Sequence, residues 1–300
     1  MNLRPVAVLA AIAALLIGFI YWREHAAMPA KKAPAKVSRT KIAPAKPPRA
    51  KKRAAAVTPA PPPAAATAAV PALPPAAKKQ KGPVVAIVID DFGYNMNNVD
   101  QFLAIKEPIT LSILPGERYT KEVARRARER GDEIILHLPL ESWRSDVKEE
   151  AVTIRSGMSG PDIDSKLKKE LSDLPPVGGV SNHMGSKATE DRKVMTDVIK
   201  YLKGNGLYFF DSLTSPRSVC REVASQAGVR YARRDRFLDN DNDPAAIEAK
   251  LRDVKKLAIA RGRAIAIGHD RKNTAAVLAK TMPEMSREGI EFVYLSEMVE

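Results

Sequence analysis

The chain of 300 residues has one cysteine, Cys220, and only four histidines and two tryptophans. A lone thiol permits no internal disulfide and is compatible with either an oxidising or a reducing compartment. Cys220 falls in a predicted helix with no partner, which argues against a thiol nucleophile. No Gly-x-Ser-x-Gly elbow is present, which argues against a serine hydrolase. The absence of a G-x-G-x-x-G or P-loop motif leaves nucleotide binding without support, and no histidine pair has the His-Glu-x-x-His spacing. The triplet Asp91-Phe92-Gly93 stands without the other protein-kinase motifs.

Acidic residues are missing from Pro29 to Gly82, a stretch of Ala, Pro and Lys that holds thirteen Lys and Arg. Too few large apolar side chains occur there to bury a core, so 29–82 is expected to be a disordered, partly extended linker. The preceding segment, with Arg4, Arg23 and Glu24, nets one positive charge. Residues 83–300 are therefore left with no net formal charge, although the chain carries +14. The globular part is not basic, and no nucleic-acid partner is expected. The linker could rest on anionic lipid or polymer, or be simply solvated. Before it, Val6 to Tyr21 is almost wholly apolar and ends in Tyr21-Trp22. Residues 1–28 are read as an uncleaved signal anchor rather than a cleaved signal peptide. The positive-inside rule alone would put the linker in the cytoplasm.

The globular part is organised around Val84-Val85-Ala86-Ile87-Val88-Ile89-Asp90-Asp91. Six apolar, mostly β-branched residues predict a strand buried on both faces, as in a parallel sheet. The two acids after it stand where α/β folds place their chemistry, although a helix N-cap followed by a first-turn acid would read the same. Adjacent carboxylates repel and call for a cation or a shared proton. Strands are expected at 109–114, 133–138, 179–182, 207–210, 229–232, 264–267 and 290–295. Helices are expected at 95–106, 119–130, 161–174, 190–203, 216–227, 244–260 and 274–287, the sixth with Asp243 as its N-cap. Repeated βα units imply a parallel sheet with helices outside. Polar residues follow six strands: Asp90-Asp91, His137 with Glu141, Asn182-His183, Asp211-Ser212, Asp235 and His269-Asp270. A barrel gathers such ends round one mouth, so a barrel is expected rather than an open sheet. Three of the four histidines close strands and face the carboxylate pair. This predicts a divalent metal site, suited to Zn²⁺, with Mn²⁺, Fe²⁺ or Co²⁺ as alternatives. The stretch 181–186 reads as a loop that approaches a ligand, or as a plain turn.

Six motifs in order carry a family resemblance. They are Ile89-Asp90-Asp91-Phe92-Gly93, His137-Leu138-Pro139-Leu140-Glu141, Asn182-His183-Met184-Gly185-Ser186, Phe210-Asp211-Ser212, Phe237-Leu238-Asp239-Asn240 and Ala266-Ile267-Gly268-His269. Together they resemble the divergent polysaccharide deacetylases, a branch of the NodB-like carbohydrate esterases, over about 83–300. The resemblance implies a distorted (β/α) barrel with one divalent metal in its mouth. It makes Asp90 the general base and Asp91 a metal ligand. Related enzymes take two further ligands from His-x-x-x-His, whereas here Glu141 replaces the second histidine. The ligand set implied is Asp91, His137 and His183, with Glu141 supporting or alternative. His269 matches the general acid, with Asp270 orienting it. Asn182, Asp211, Ser212 and Asp235 are expected to bind or orient substrate. The implied activity is removal of N-acetyl groups from an envelope polysaccharide, by a domain held in the periplasm on the inner membrane. The alternative is a non-catalytic module that binds glycan or an envelope protein.

Overall fold

The structure is a computed structural model that describes residues 82–146 and 149–300. The expected anchor, and the expected linker up to residue 81, lie outside the described residues. Among the described residues no helix is long and apolar enough to cross a membrane.

Nine strands form one sheet: β1 Val84–Phe92, β2 Thr110–Ile113, β3 Glu133–Leu140, β4 Gly179–Met184, β5 Tyr208–Asp211, β6 Tyr231–Arg233, β7 Arg236–Phe237, β8 Arg263–His269 and β9 Glu291–Phe292. All pairings are parallel, in the order β6-β5-β4-β3-β2-β1-β8-β7, with β9 on β1. β6 and β7 lie at opposite edges of this order, yet only Arg234 and Asp235 separate them in the chain. Two residues span about 10 Å at most between their neighbours, so the sheet must curl until its edges meet. The backbone N–H of Arg234 bonds to Asp211 O, on one edge strand's neighbour. That of Asp235 bonds to Ile265 O, at 2.8 Å, across the seam. The barrel is thus curled and not closed by strand pairing.

Alternation along each strand sorts side chains to two cores. Val85, Ile87 and Ile89 point outward and pack with the helices, while Val84, Ala86 and Val88 point inward with Ile135, Phe210 and Ile267. The helices are α1 Val99–Leu103, α2 Thr120–Arg130, α3 Gly160–Leu171, α4 Arg192–Gly204, α5 Cys220–Ala227, α6 Pro244–Arg261 and α7 Lys272–Arg287. Side-chain caps start three of them: Ser159 on Asp162 N, Asp191 on Lys193 and Val194 N, and Asp243 on Ala246 N. The helix expected at 95–106 is one short turn and a half. The one expected from 216 begins at Cys220, and the strand expected at 290–295 reduces to β9 and a 3₁₀ turn, Leu295–Glu297.

Candidate metal centre

The strands β1, β3, β4 and β8 carry Asp90 and Asp91, His137, His183 and His269 respectively. On β1 the alternation that turns Val84, Ala86 and Val88 inward also turns Asp90 inward, where it is buried. Asp91 should then point outward. Instead its φ is +69°, a left-handed conformation rare for a non-glycine residue, and the register with β2 breaks between Ile89 and Phe92. This local twist brings both carboxylates to one site. A backbone outlier of this kind at a strand end marks a functional constraint.

Asp91 Oδ1 lies 3.3 Å from His137 Nε2 and 3.1 Å from His183 Nδ1, and the two imidazole nitrogens are 3.2 Å apart. Ligand atoms about 2.05 Å from a tetrahedral ion lie about 3.3 Å from one another, so this triangle has the edge of a metal site. Each ring is held by its other nitrogen. His137 Nδ1 pairs with Ser181 Oγ at 2.8 Å, itself 2.7 Å from Ser112 Oγ. His183 Nε2 faces Glu150 Oε1 at 3.4 Å, and the Tyr94 hydroxyl donates to the same oxygen at 2.6 Å. Such outer partners fix the tautomer and aim the free nitrogen. The donor set therefore fits a divalent ion. Burial raises the Asp91 carboxyl, but hydrogen bonds from His137 and His183 outweigh it and hold it well below its ordinary value. Burial likewise disfavours His183⁺, yet Asp91 and Glu150 overcome this and raise His183 to about 10. Asp91 and Glu150 thus favour a positive charge between them.

Two further groups flank the cluster. Burial raises Asp90, with the negative charge of Asp91 adding to it, against the pull of His137 and His269. Asp90 Oδ1 is buried with no hydrogen-bond partner, 3.7 Å from His137 Nδ1. On β8, His269 Nδ1 meets Asp239 Oδ1 at 2.7 Å, and Asp239 Oδ2 accepts from the His269 N–H and from Thr274 Oγ1. Burial opposes the imidazolium, but Asp239 overrides it and raises His269. Phe237 stacks on His269 with centroids 5.7 Å apart, and the Arg234 guanidinium covers Phe237 at 3.6 Å.

Five of the expected site residues have other partners here. Asp270 does not orient His269: it accepts from Asn98 Nδ2 at 3.0 Å, and Asp239 does the orienting. Glu141 is not in the cluster, because Lys187 Nζ and the Ser156 N–H occupy its two oxygens. Asp235 accepts from Ile265 N, four residues before His269 and so about 13 Å down the strand from the mouth. The Asn182 and Asp211 side chains brace loops: Asn182 holds Ser212 N and Met184 O, and Asp211 holds Leu213 N and Ser218 Oγ. Ser212 Oγ is buried without a partner. Sequence reasoning missed Glu150, Tyr94 and Arg234. It quoted Asp239 in a motif without giving it a role. Glu150 lies in a stretch with no periodicity, and only its pairing with Glu149 could have drawn notice.

Comparison with known proteins identifies the family. The family model described as "Divergent polysaccharide deacetylase" matches residues 87–299. The uncharacterized protein YibQ of Escherichia coli is 35% identical over 194 residues, which cover 65% of this chain and 60% of YibQ. The chain thus matches less than two thirds of YibQ's length. An uncharacterized protein of Haemophilus influenzae is 34% identical over 203 residues, 67% of this chain and 72% of its own. The crystal structure of an uncharacterized protein from Agrobacterium tumefaciens shares the fold, with a TM-score of 0.71 at 24% identity over 74% of this chain and 91% of that one. Residues 87–299, with the aspartate pair, the two facing histidines and His269 on the barrel's mouth, place this chain in the divergent polysaccharide deacetylase family.

Proposed function

We propose that the domain is a metal-dependent hydrolase that removes N-acetyl groups from an envelope polysaccharide or peptidoglycan-type glycan. One observation carries the reading. Asp91, His137 and His183 present ligand atoms within 4.8 Å of one another, between a buried carboxylate with a free oxygen and a histidine backed by an aspartate. These three residues would hold the ion, and Zn²⁺ suits a set of two histidines and one carboxylate. When bound, the ion supplies Lewis acidity toward water and the acetyl carbonyl. Asp90 accepts the water's proton at Oδ1, because burial makes that carboxylate a better base than an exposed one. His269 keeps its Nδ1 proton on Asp239 and donates from Nε2 to the departing sugar amine. Tyr94 and Glu150 hold the His183 ring in place.

Such a substrate belongs outside the cytoplasm, with the domain in the periplasm and residues 1–28 holding it to the inner membrane. A glycan- or protein-binding module without turnover is the competing reading, favoured by the loss of the second histidine at Glu141. The deciding experiment is metal analysis of the purified chain together with acetate release from N-acetylated glycans. The expected result is one divalent ion per chain, lost in Asp91→Ala. Asp90→Asn and His269→Ala should keep the ion and lose roughly 10²–10⁴-fold in rate. Rates within a few-fold of wild type in both variants would remove the acid–base assignment. Bound metal with saturable glycan affinity and no acetate would favour the binding module.

A further inference from the structure

Trp143 stands on the loop after β3, 60% exposed, although the chain has cores able to bury it. It is the sole tryptophan of the globular part. Its position is nonetheless set by hydrogen bonds and a cation. Its backbone N–H donates to Ser186 Oγ at 3.1 Å, and Ser142 Oγ pairs with the same hydroxyl. Lys187 Nζ sits 5.3 Å from the ring centroid and 2.9 Å from Glu141 Oε1. Glu141 joins three segments: its N–H bonds to Ile154 O, its Oε2 takes Ser156 N, and its carbonyl takes the N–H groups of Lys187 and Ala188. The backbone of Trp143 is anchored, and its flat, solvent-facing indole has a cation over the ring, the form of a stacking platform.

Beside it lies a cavity of 560 Å³ whose lining includes Glu141, Trp143, Arg144, Glu149, Arg155 and Lys187. Its charges are matched, with Lys187 on Glu141, Arg155 on Glu149 and Arg144 on Asp146. A balanced polar wall beside an aromatic face suits a neutral, hydroxyl-rich ring, whose C–H face stacks while its rim hydroxyls reach charged groups. The cavity and the metal cluster share a loop: Glu149 lines the cavity and the next residue, Glu150, faces His183.

We infer that Trp143 is a stacking platform for a second sugar unit of the glycan, and that Glu141 serves this subsite, through Lys187, instead of the metal. The inference rests on the reading that the mouth takes an N-acetylated glycan. It explains the missing second histidine: the position builds substrate contact beyond the reacting unit.

The test uses the full-length chain carrying Trp22→Phe, so that Trp143 alone reports, and Asp90→Asn, so that turnover does not interfere. Ligands are chitotetraose and N-acetylglucosamine, with affinities measured by calorimetry and emission followed in parallel. The tetramer should shift the Trp143 emission. Adding Trp143→Ala should weaken the tetramer roughly ten-fold and the single sugar less than about two-fold, while Trp143→Phe retains most of the affinity. Glu141→Gln should weaken the tetramer several-fold with metal content unchanged. Tetramer affinity within about two-fold in Trp143→Ala, no tetramer binding by the parent, or loss of metal in Glu141→Gln each overturns the inference. Acetate release by the wild type separates the two claims. Release without Trp143 dependence keeps the hydrolase reading and removes the platform, and Trp143-dependent binding without release does the reverse.

Discussion

At the scale of single residues, the site depends on which carboxylate faces which ring. Asp239 binds His269 through two of its contacts, whereas Asp270, next to His269 in sequence, turns to Asn98. In the proposed reaction the general acid must be protonated when the amine leaves, so the alkaline limb of the pH–rate curve is expected to follow the pKa of His269. Asp239 raises that pKa against burial. Removing its charge lowers it, and the limb should move to lower pH. Asp239→Asn is expected to shift the limb down and reduce the rate, while Asp270→Asn leaves the limb in place. A pH–rate profile for both variants checks this, and a shift in Asp270→Asn alone would reverse the assignment.

At the scale of elements, two features of the packing make separate predictions. Gly178-Gly179 reads in sequence as a tight strand entry. The structure adds a reason for the second glycine: a Cβ there would lie 2.2 Å from the Tyr208 ring, which fills the inside of the barrel. Gly179→Ala should destabilise the domain by about 1–3 kcal/mol, the usual cost of overpacking, as read by denaturant midpoint. Gly178→Ala meets the ring only at 3.5 Å and should cost less. On α3, Glu170 is buried with neither carboxylate oxygen hydrogen-bonded. Burial raises its pKa to about 8 from 4.5, with Asp173 adding and Lys166 opposing. A raised folded-state value means that its stability contribution is full below 4.5 and is lost as pH rises through about 8. Each unit of separation is worth roughly 1.4 kcal/mol, so a loss of a few kcal/mol is expected across that window. Wild type should therefore melt lower at about pH 9 than at about pH 5, and Glu170→Gln should narrow that difference. An equal drop in both proteins would show that Glu170 is not the cause.

At the scale of the whole molecule, folding needs the two edges of the sheet to meet across Arg234-Asp235, and among the described residues every strand of that sheet lies after residue 83. The start of this body is tied to its carboxyl-terminal part: the Glu291 N–H bonds to Pro83 O and the Val84 N–H to Gly262 O. A chain beginning at Lys81 is expected to be soluble, to melt in one cooperative transition and to bind its metal. Aggregation of that chain, cured by restoring residues 29–80, would instead place part of the domain's stability in the earlier segment.

The sequence by itself determined the element types, the parallel sheet and the roster of polar strand ends. Those depend on period-two burial, β-branching and end signals that are local to a few residues, as in Val84–Ile89 or Asp243-Pro244. It also separated a charged amino-terminal region from a globular part of no net charge. Only the tertiary structure decided how those strand ends are used. Alternation would have sent Asp90 and Asp91 to opposite faces, and the left-handed φ of Asp91 is what joins them. His269 finds Asp239 thirty residues away because β8 lies beside the chain that leaves β7. Glu150 reaches His183 from a loop with no periodicity to announce it, and Glu141 leaves the site because Lys187 and Ser156 N arrive from two other loops. A side chain's neighbours within its strand follow from periodicity, but its partners across the mouth follow from where separate loops return, and that is set by the curling of the sheet.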